Sequence, residues 1–134
     1  MKRADLRVVK VAETRFVLEG SEGAPWEIWQ TDTENDAQKL VEFAGRLCYS
    51  SWSKPNPATR ANVDYINHII ESQHFSVLEH AGFAVAITGV SRSLSHELVR
   101  HRHLQFSQLS QRFFDETDAA AVVPSLYRED PDAL

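Results

Sequence analysis

The sequence contains a single cysteine, Cys48, so no disulfide can form within the chain, and a reducing, cytoplasmic setting is the default expectation. It has no hydrophobic run approaching the length of a membrane span. Its first residues, MKRADLRVVKVAE, carry early basic side chains without the apolar stretch of a signal peptide. An excess of positive charge is also missing. The net charge is −5, which gives no overall attraction to nucleic acid or to a membrane surface. Only five glycines occur, none in a G-x-G-x-x-G or GK[ST] pattern, which excludes dinucleotide and P-loop sites as far as sequence can. Ser110 has no G-x-S-x-G elbow around it. His96, His101 and His103 match no zinc spacing, and no metal site is expected.

What remains is ordinary for a globular chain. The 134 residues are 43% hydrophobic and are expected to form one domain. Residues 6–12, LRVVKVA, read as a strand. Residues 18–32 read as a loop whose tryptophans pack back on the domain. TENDAQKLVEFAGRLCYS has helical spacing, with Leu40, Val41, Phe43, Ala44, Leu47 and Cys48 on its apolar stripe; Thr33 with Asp36, or Asp32, could cap its start. On that stripe Cys48 is a packing residue rather than a nucleophile. After the turn SSWSKPNP, Asn56 and Pro57 suggest the cap and first turn of a second helix with Val63, Ile66, Ile69 and Ile70 inward, ending near Gln73.

HFSVLEH, residues 74–80, contains the S-x-x-E of a capping box, predicting a short helix from Val77. FAVAIT, residues 83–88, alternates large and small residues as a strand packed on both faces would. SRSLSHELVRHR predicts a helix capped by Ser91 or Ser93 that loses its periodicity near His101. The tail offers one short apolar strand and then acidic, proline-broken sequence. Strands and helices without βαβ alternation predict an α+β fold, a mixed sheet with flanking helices.

One run departs from the acidic whole. RHRHLQFSQLSQR, residues 100–112, has three arginines, no acid and no lysine. Arginine is favoured where phosphate or carboxylate must be gripped through paired donors. Ser107, Gln108 and Ser110 add neutral donors, and the set describes a pocket for an anion carrying a hydrogen-bonding ring. The plainer alternative is a solvated basic face at a helix C-terminus, where cations offset the macrodipole. A merely soluble face would mix Lys with Glu, and the missing lysine favours the pocket.

The Arg-His-Arg of residues 100–102, followed after seven residues by Ser110, resembles the signature of the flavin-dependent thymidylate synthases. The similarity extends through EFAGRLCYSSWSKPNP, HFSVLEH and ITGVSRSLSHELVRHR, and covers most of residues 40–124. The resemblance implies an α+β cytoplasmic homotetramer with shared active sites. It would methylate deoxyuridine monophosphate (dUMP) to dTMP with methylenetetrahydrofolate as carbon donor, FAD as hydride carrier and NADPH as reductant. It implies FAD contacts from His74, Ser76, Arg100, His101, Arg102 and Gln108. For dUMP it implies Glu97, Leu98, Val99, Arg100, Gln108, Leu109, Ser110, Gln111 and Arg112, with Leu109 and Gln111 contributing only backbone.

Neither a cysteine nucleophile nor a metal belongs to that pattern. Gln105 and Phe113 depart from it, standing where many members have serine and tyrosine. Family members are longer, and the arginine that activates the uracil ring is expected in their C-terminal half, so no catalytic residue is assigned in this chain. Two function classes follow: an enzyme forming thymidylate, or a nucleotide- and flavin-binding remnant without turnover.

Overall fold

A computed structural model of the chain describes residues 2–115, 117–124 and 127. Its elements are β1 (Arg7–Glu13), α1 (Asp36–Tyr49), a 3-10 turn (Pro57–Thr59), α2 (Asn62–Glu71), α3 (Phe75–Leu78), β2 (Phe83–Thr88) and α4 (Arg92–Leu98). The class is α+β, as the sequence predicts. The chain divides into two compact units: a first comprising residues up to Lys10 and from Val85 onward, and a second comprising Val11–Ala84. Among the described residues no helix is long and apolar enough to cross a membrane.

β1 and β2, each running through both units, pair in a two-stranded sheet. Thr14, just after β1, donates its N–H to the carbonyl of Gly82, just before β2, at 2.9 Å, so the strands are antiparallel. At the other end Gly89 has φ +71°, and a Cβ there would collide with the backbone of Asp5. Only glycine fits that turn. Every residue of both strands is exposed. This corrects the expectation that FAVAIT is packed on both faces, and the sheet is not mixed. Alternating side-chain size implies burial only if another layer exists, and nothing among the described residues buries either face. The tail's apolar stretch forms no strand among the described residues. Ala121 makes a single parallel bridge with Arg3, and the acidic end of the tail lies outside the described residues.

In the second unit, α1, α2 and α3 enclose a core of Val41, Ala44, Tyr65, Ile69 and Val77, with Ile66, Leu78 and Ala81 packed against it. Gly45 lets α2 approach α1, since a Cβ there would run into the Tyr65 ring. Trp26 and Trp29 do fold back, as predicted. With Phe16 and Trp52 they surround Phe43, the closest ring centroids lying 5.0 Å (Trp52) and 5.3 Å (Trp29) away.

Several local expectations change. Asn35, not Thr33, Asp36 or Asp32, caps α1, accepting from the N–H of Gln38 at 3.1 Å. Asp32 instead caps α2, accepting from the Asn62 N–H at 2.8 Å. Asn56 caps the 3-10 turn rather than a long helix, and α2 starts only at Asn62. On α2, Tyr65 and Ile69 point inward while Val63 and Ile70 are exposed. His74, not Ser76, precedes α3, which starts two residues earlier than predicted; no side chain caps it, and Ser76 lies inside the helix. Leu47 and Cys48 are exposed, so Cys48 is not a packing residue. The final turn of α1 has rotated past the core before reaching them.

The most buried side chains of α1 are polar. Glu42 is 0% exposed and Arg46 1%. Arg46 Nε donates to Glu42 Oε1 at 2.7 Å, and Lys54 Nζ lies 2.9 Å from the same oxygen. Thr31 Oγ1 at 2.6 Å and Asn62 Nδ2 at 2.8 Å donate to Oε2. Arg46 Nη1 and Nη2 donate to the carbonyls of Ser51 and Thr59, and its guanidinium lies 4.3 Å from the Tyr65 ring centroid. Burial alone would raise the carboxyl's pKa. Donors from Thr31, Asn62, Lys54 and Arg46 overcome it and bring Glu42 from an ordinary 4.5 down to about 2.

Because the folded-state value is depressed, the carboxylate's contribution to stability is complete above pH 4.5 and disappears as pH falls towards 2. Glu42→Gln leaves buried Arg46 and half-buried Lys54 without their counter-charge and should cost about 3–5 kcal/mol at neutral pH. Thermal melts from pH 7 to 2.5 check this: the gap between wild type and variant should close on the acid side. A gap that stays constant with pH would contradict it. For exposed Cys48, Cys48→Ala should change stability by no more than about 0.5 kcal/mol. A thiol-reactive dye should label Cys48 in the native protein; a thiol that reacts only after unfolding would contradict its placement.

Candidate ligand site

α4 begins where Ser91 accepts from the Leu94 N–H at 3.1 Å and ends at Leu98, three residues before the predicted loss of periodicity. The chain then turns, with His101 N–H bonded to Leu98 O and Leu104 N–H to His101 O. The run beyond returns alongside the helix because two side chains of α4 hold it. Arg92 Nη1 donates to the Leu109 carbonyl at 2.8 Å, and Gln108 Nε2 donates to Ser95 Oγ. Ser95 passes the chain of bonds on to the Arg92 carbonyl at 3.0 Å.

Within the first unit these segments and β2 enclose a cavity of about 810 Å³, within the ordinary range for small-molecule sites. Five residues that the resemblance assigns to the nucleotide line it: Leu98, Val99, Gln108, Leu109 and Gln111. Glu97, Arg100, Ser110 and Arg112 do not, nor do His101 and Arg102. Glu97 and Arg100 form an exposed ion pair at 3.8 Å, a contact of little energetic weight. The side chains of His101 and Arg102 are exposed without a polar partner among the described residues. Ser110 Oγ accepts from the Arg112 N–H at 3.3 Å, shaping the turn after the cavity. Of the two departures from the family pattern, Gln105 lines the cavity and Phe113 is 92% exposed.

The sequence reading missed Arg92. Arg92 lines the cavity, and its Nε is buried with no hydrogen-bond partner among the described residues. A signal was available. Arg92 is the first residue of a helix, where the macrodipole disfavours a cation. An arginine kept there points to another negative or carbonyl partner.

His74 and Ser76 belong to the second unit. His74 is exposed and meets Tyr49, the last residue of α1, with Oη 3.3 Å from Nδ1. The Ser76 side chain is exposed and has no polar partner among the described residues.

Residues 30–134 match the family model described as "Thymidylate synthase complementing protein". A flavin-dependent thymidylate synthase of Mycolicibacterium gilvum is 53% identical over 132 residues, covering 98% of this chain and 50% of the relative. The enzyme of the same name from Mycobacterium avium is 53% identical over 130 residues, covering 96% and 49%. That of Mycobacterium sp. strain JLS is 55% identical over 121 residues, covering 90% and 45%. The chain thus spans about half the length of the curated relatives it matches. With the matched region running through all three helices of the core and the whole basic segment, the chain belongs to the thymidylate synthase complementing protein family.

Proposed function

We propose that this chain supplies the nucleotide-gripping part of a flavin-dependent thymidylate synthase, which methylates dUMP to dTMP with methylenetetrahydrofolate, FAD and NADPH. The observation that carries the reading is the cavity of the first unit, with an arginine inside it whose Nε has no partner. A buried N–H left unmatched is costly, and a phosphate bound to the same guanidinium would draw that group towards the cavity. Arg92 is therefore assigned to the phosphate of dUMP, alongside Gln108 and the backbone of Leu109 and Gln111. Leu98 and Val99 give the cavity an apolar wall against which a pyrimidine ring can rest. Ser110 and Arg112 shape the turn that follows.

The donors outside the cavity suit FAD. Arg102 and His101 have no polar partner of their own among the described residues, and Arg100 has only its weak pair with Glu97. Such groups are available for a diphosphate. In the second unit, taken by itself, His74 and Ser76 present exposed donors of the kind a flavin can also use. A flavin bound there supplies hydride transfer, while these side chains hold and orient it. The flavin-dependent thymidylate synthase fold in a single domain, the homotetramer with shared sites and the cytoplasmic location belong to the same proposal.

Arg92→Ala removes a charge-assisted contact worth roughly 1.5–3 kcal/mol, or about a tenfold to hundredfold loss of dUMP affinity. Titration calorimetry of the chain with dUMP measures this directly. An affinity unchanged in Arg92→Ala would show that the cavity is not the nucleotide site. Formation of dTMP with folate donor and NADPH, in the chain alone and joined to the remaining half found in its relatives, tests turnover separately from binding.

A further inference from the structure

His74 is held by its backbone on both sides. Its N–H donates to Ile69 O at 3.0 Å, and its carbonyl accepts from the Val77 N–H at 3.2 Å. Gln73, one residue earlier, sits at φ +57°, which turns the chain out of α2 into α3. The imidazole makes no cap to the N–H groups of α3. It meets the Tyr49 side chain instead. The two rings are stacked with an interplanar angle of 20° and centroids 6.1 Å apart, Oη lying 3.3 Å from Nδ1.

Tyr49 is equally well anchored. The residue after it, Ser50, takes the left-handed conformation at φ 48°, and its N–H and that of Ser51 bond back to the Arg46 carbonyl. Arg46 is itself locked by Glu42. Two exposed side chains thus meet on backbones that cannot drift, the arrangement that gives a surface hydrogen bond a defined geometry.

A neutral imidazole has one N–H and one acceptor nitrogen, and whatever occupies one nitrogen decides which it is. A phenol is the better donor and an imidazole nitrogen the better acceptor, so the bond runs from Oη to Nδ1. The proton is then on Nε2, the nitrogen left without a partner among the described residues.

We propose that Tyr49 is the positioning residue for His74. Its hydroxyl holds the imidazole in the Nε2–H form and presents that N–H to a carbonyl or ring-nitrogen acceptor of a planar heterocyclic ligand. The ligand's identity as FAD rests on the function proposed above; the Tyr49–His74 pairing does not.

Two-bond proton–nitrogen NMR spectra of the 15N-histidine-labelled chain, at mildly alkaline pH, report which ring nitrogen bears the proton. His74 is assigned by the signals lost in His74→Gln. In the wild type its spectrum should show the Nε2–H form alone. In Tyr49→Phe its nitrogen shifts should move towards the mixed forms of a free imidazole while the melting temperature stays unchanged. A wild-type proton on Nδ1, or nitrogen shifts unaltered in Tyr49→Phe, would overturn the proposal. FAD titration then reads the ligand: Tyr49→Phe should weaken binding a few-fold and His74→Gln more. NMR shifts as expected, with FAD affinity unaltered in both variants, would keep the positioning role and discard the flavin reading of His74.

Discussion

The second unit depends on one carboxylate. Glu42 is fully buried, and a buried charge is tolerated only where its partners repay the loss of water. Here those partners come from four places in the chain: the Trp29–Thr31 segment, the next turn of α1, the Lys54 loop and the start of α2. No single helix could supply them. The carboxylate therefore converts one helix position into a requirement on three other segments, and it is satisfied only when all of them are in place. Arg46 extends the constraint outward, because its other donors fix the Ser51 and Thr59 carbonyls. Its own carbonyl receives the N–H groups that close α1 beneath Tyr49. A line of bonded groups runs from the least accessible atom of the unit to an exposed tyrosine beside His74.

The first unit is built differently. Among the described residues, Val123 is its one buried side chain, whereas the aromatic cluster and the polar network belong to the second unit. Its recognisable geometry comes from side-chain hydrogen bonds: Ser91 to the backbone at the start of α4, Arg92 to the Leu109 carbonyl and Ser95 to the Gln108 side chain of the returning segment. Elements with few buried contacts open readily, and ligand-binding segments are commonly drawn from them. The wall of the cavity is tied by the Arg92 and Ser95 hydrogen bonds rather than by a packed core.

Much of this was legible in the sequence, and the failures have a common cause. Both strands, α1, α4, the aromatic return of the tryptophans and a serine cap on α4, with Ser91 and Ser93 as the candidates, followed from local patterns. The inward faces did not. Glu42 and Arg46 stand at i and i+4 like any helical ion pair, and the sequence carries no sign that Lys54, Thr31 and Asn62 converge on them. Cys48 and Leu47 read as core because an apolar stripe was extended one turn too far. The S-x-x-E of HFSVLEH read as a capping box, yet α3 starts at Phe75, so Ser76 is already inside it. A backbone turn from α2, driven by the Ile69 carbonyl taking the His74 N–H, overrides the local signal.

The basic run shows the same limit at the site. Its composition announced an anion pocket, and composition cannot say how a run is divided in space. α4 stops at Leu98, so Arg100, His101 and Arg102 pass out of the helix before they can face the cavity. Gln108, Leu109 and Gln111 line it because Arg92 and Ser95 draw them back. The residue that makes the partition lies outside the run, at the head of the helix, where a cation is electrostatically out of place. The helix dipole opposes that arginine, and what offsets the dipole is what its guanidinium reaches: Nη1 donates to the Leu109 carbonyl and so ties the returning segment to the head of α4.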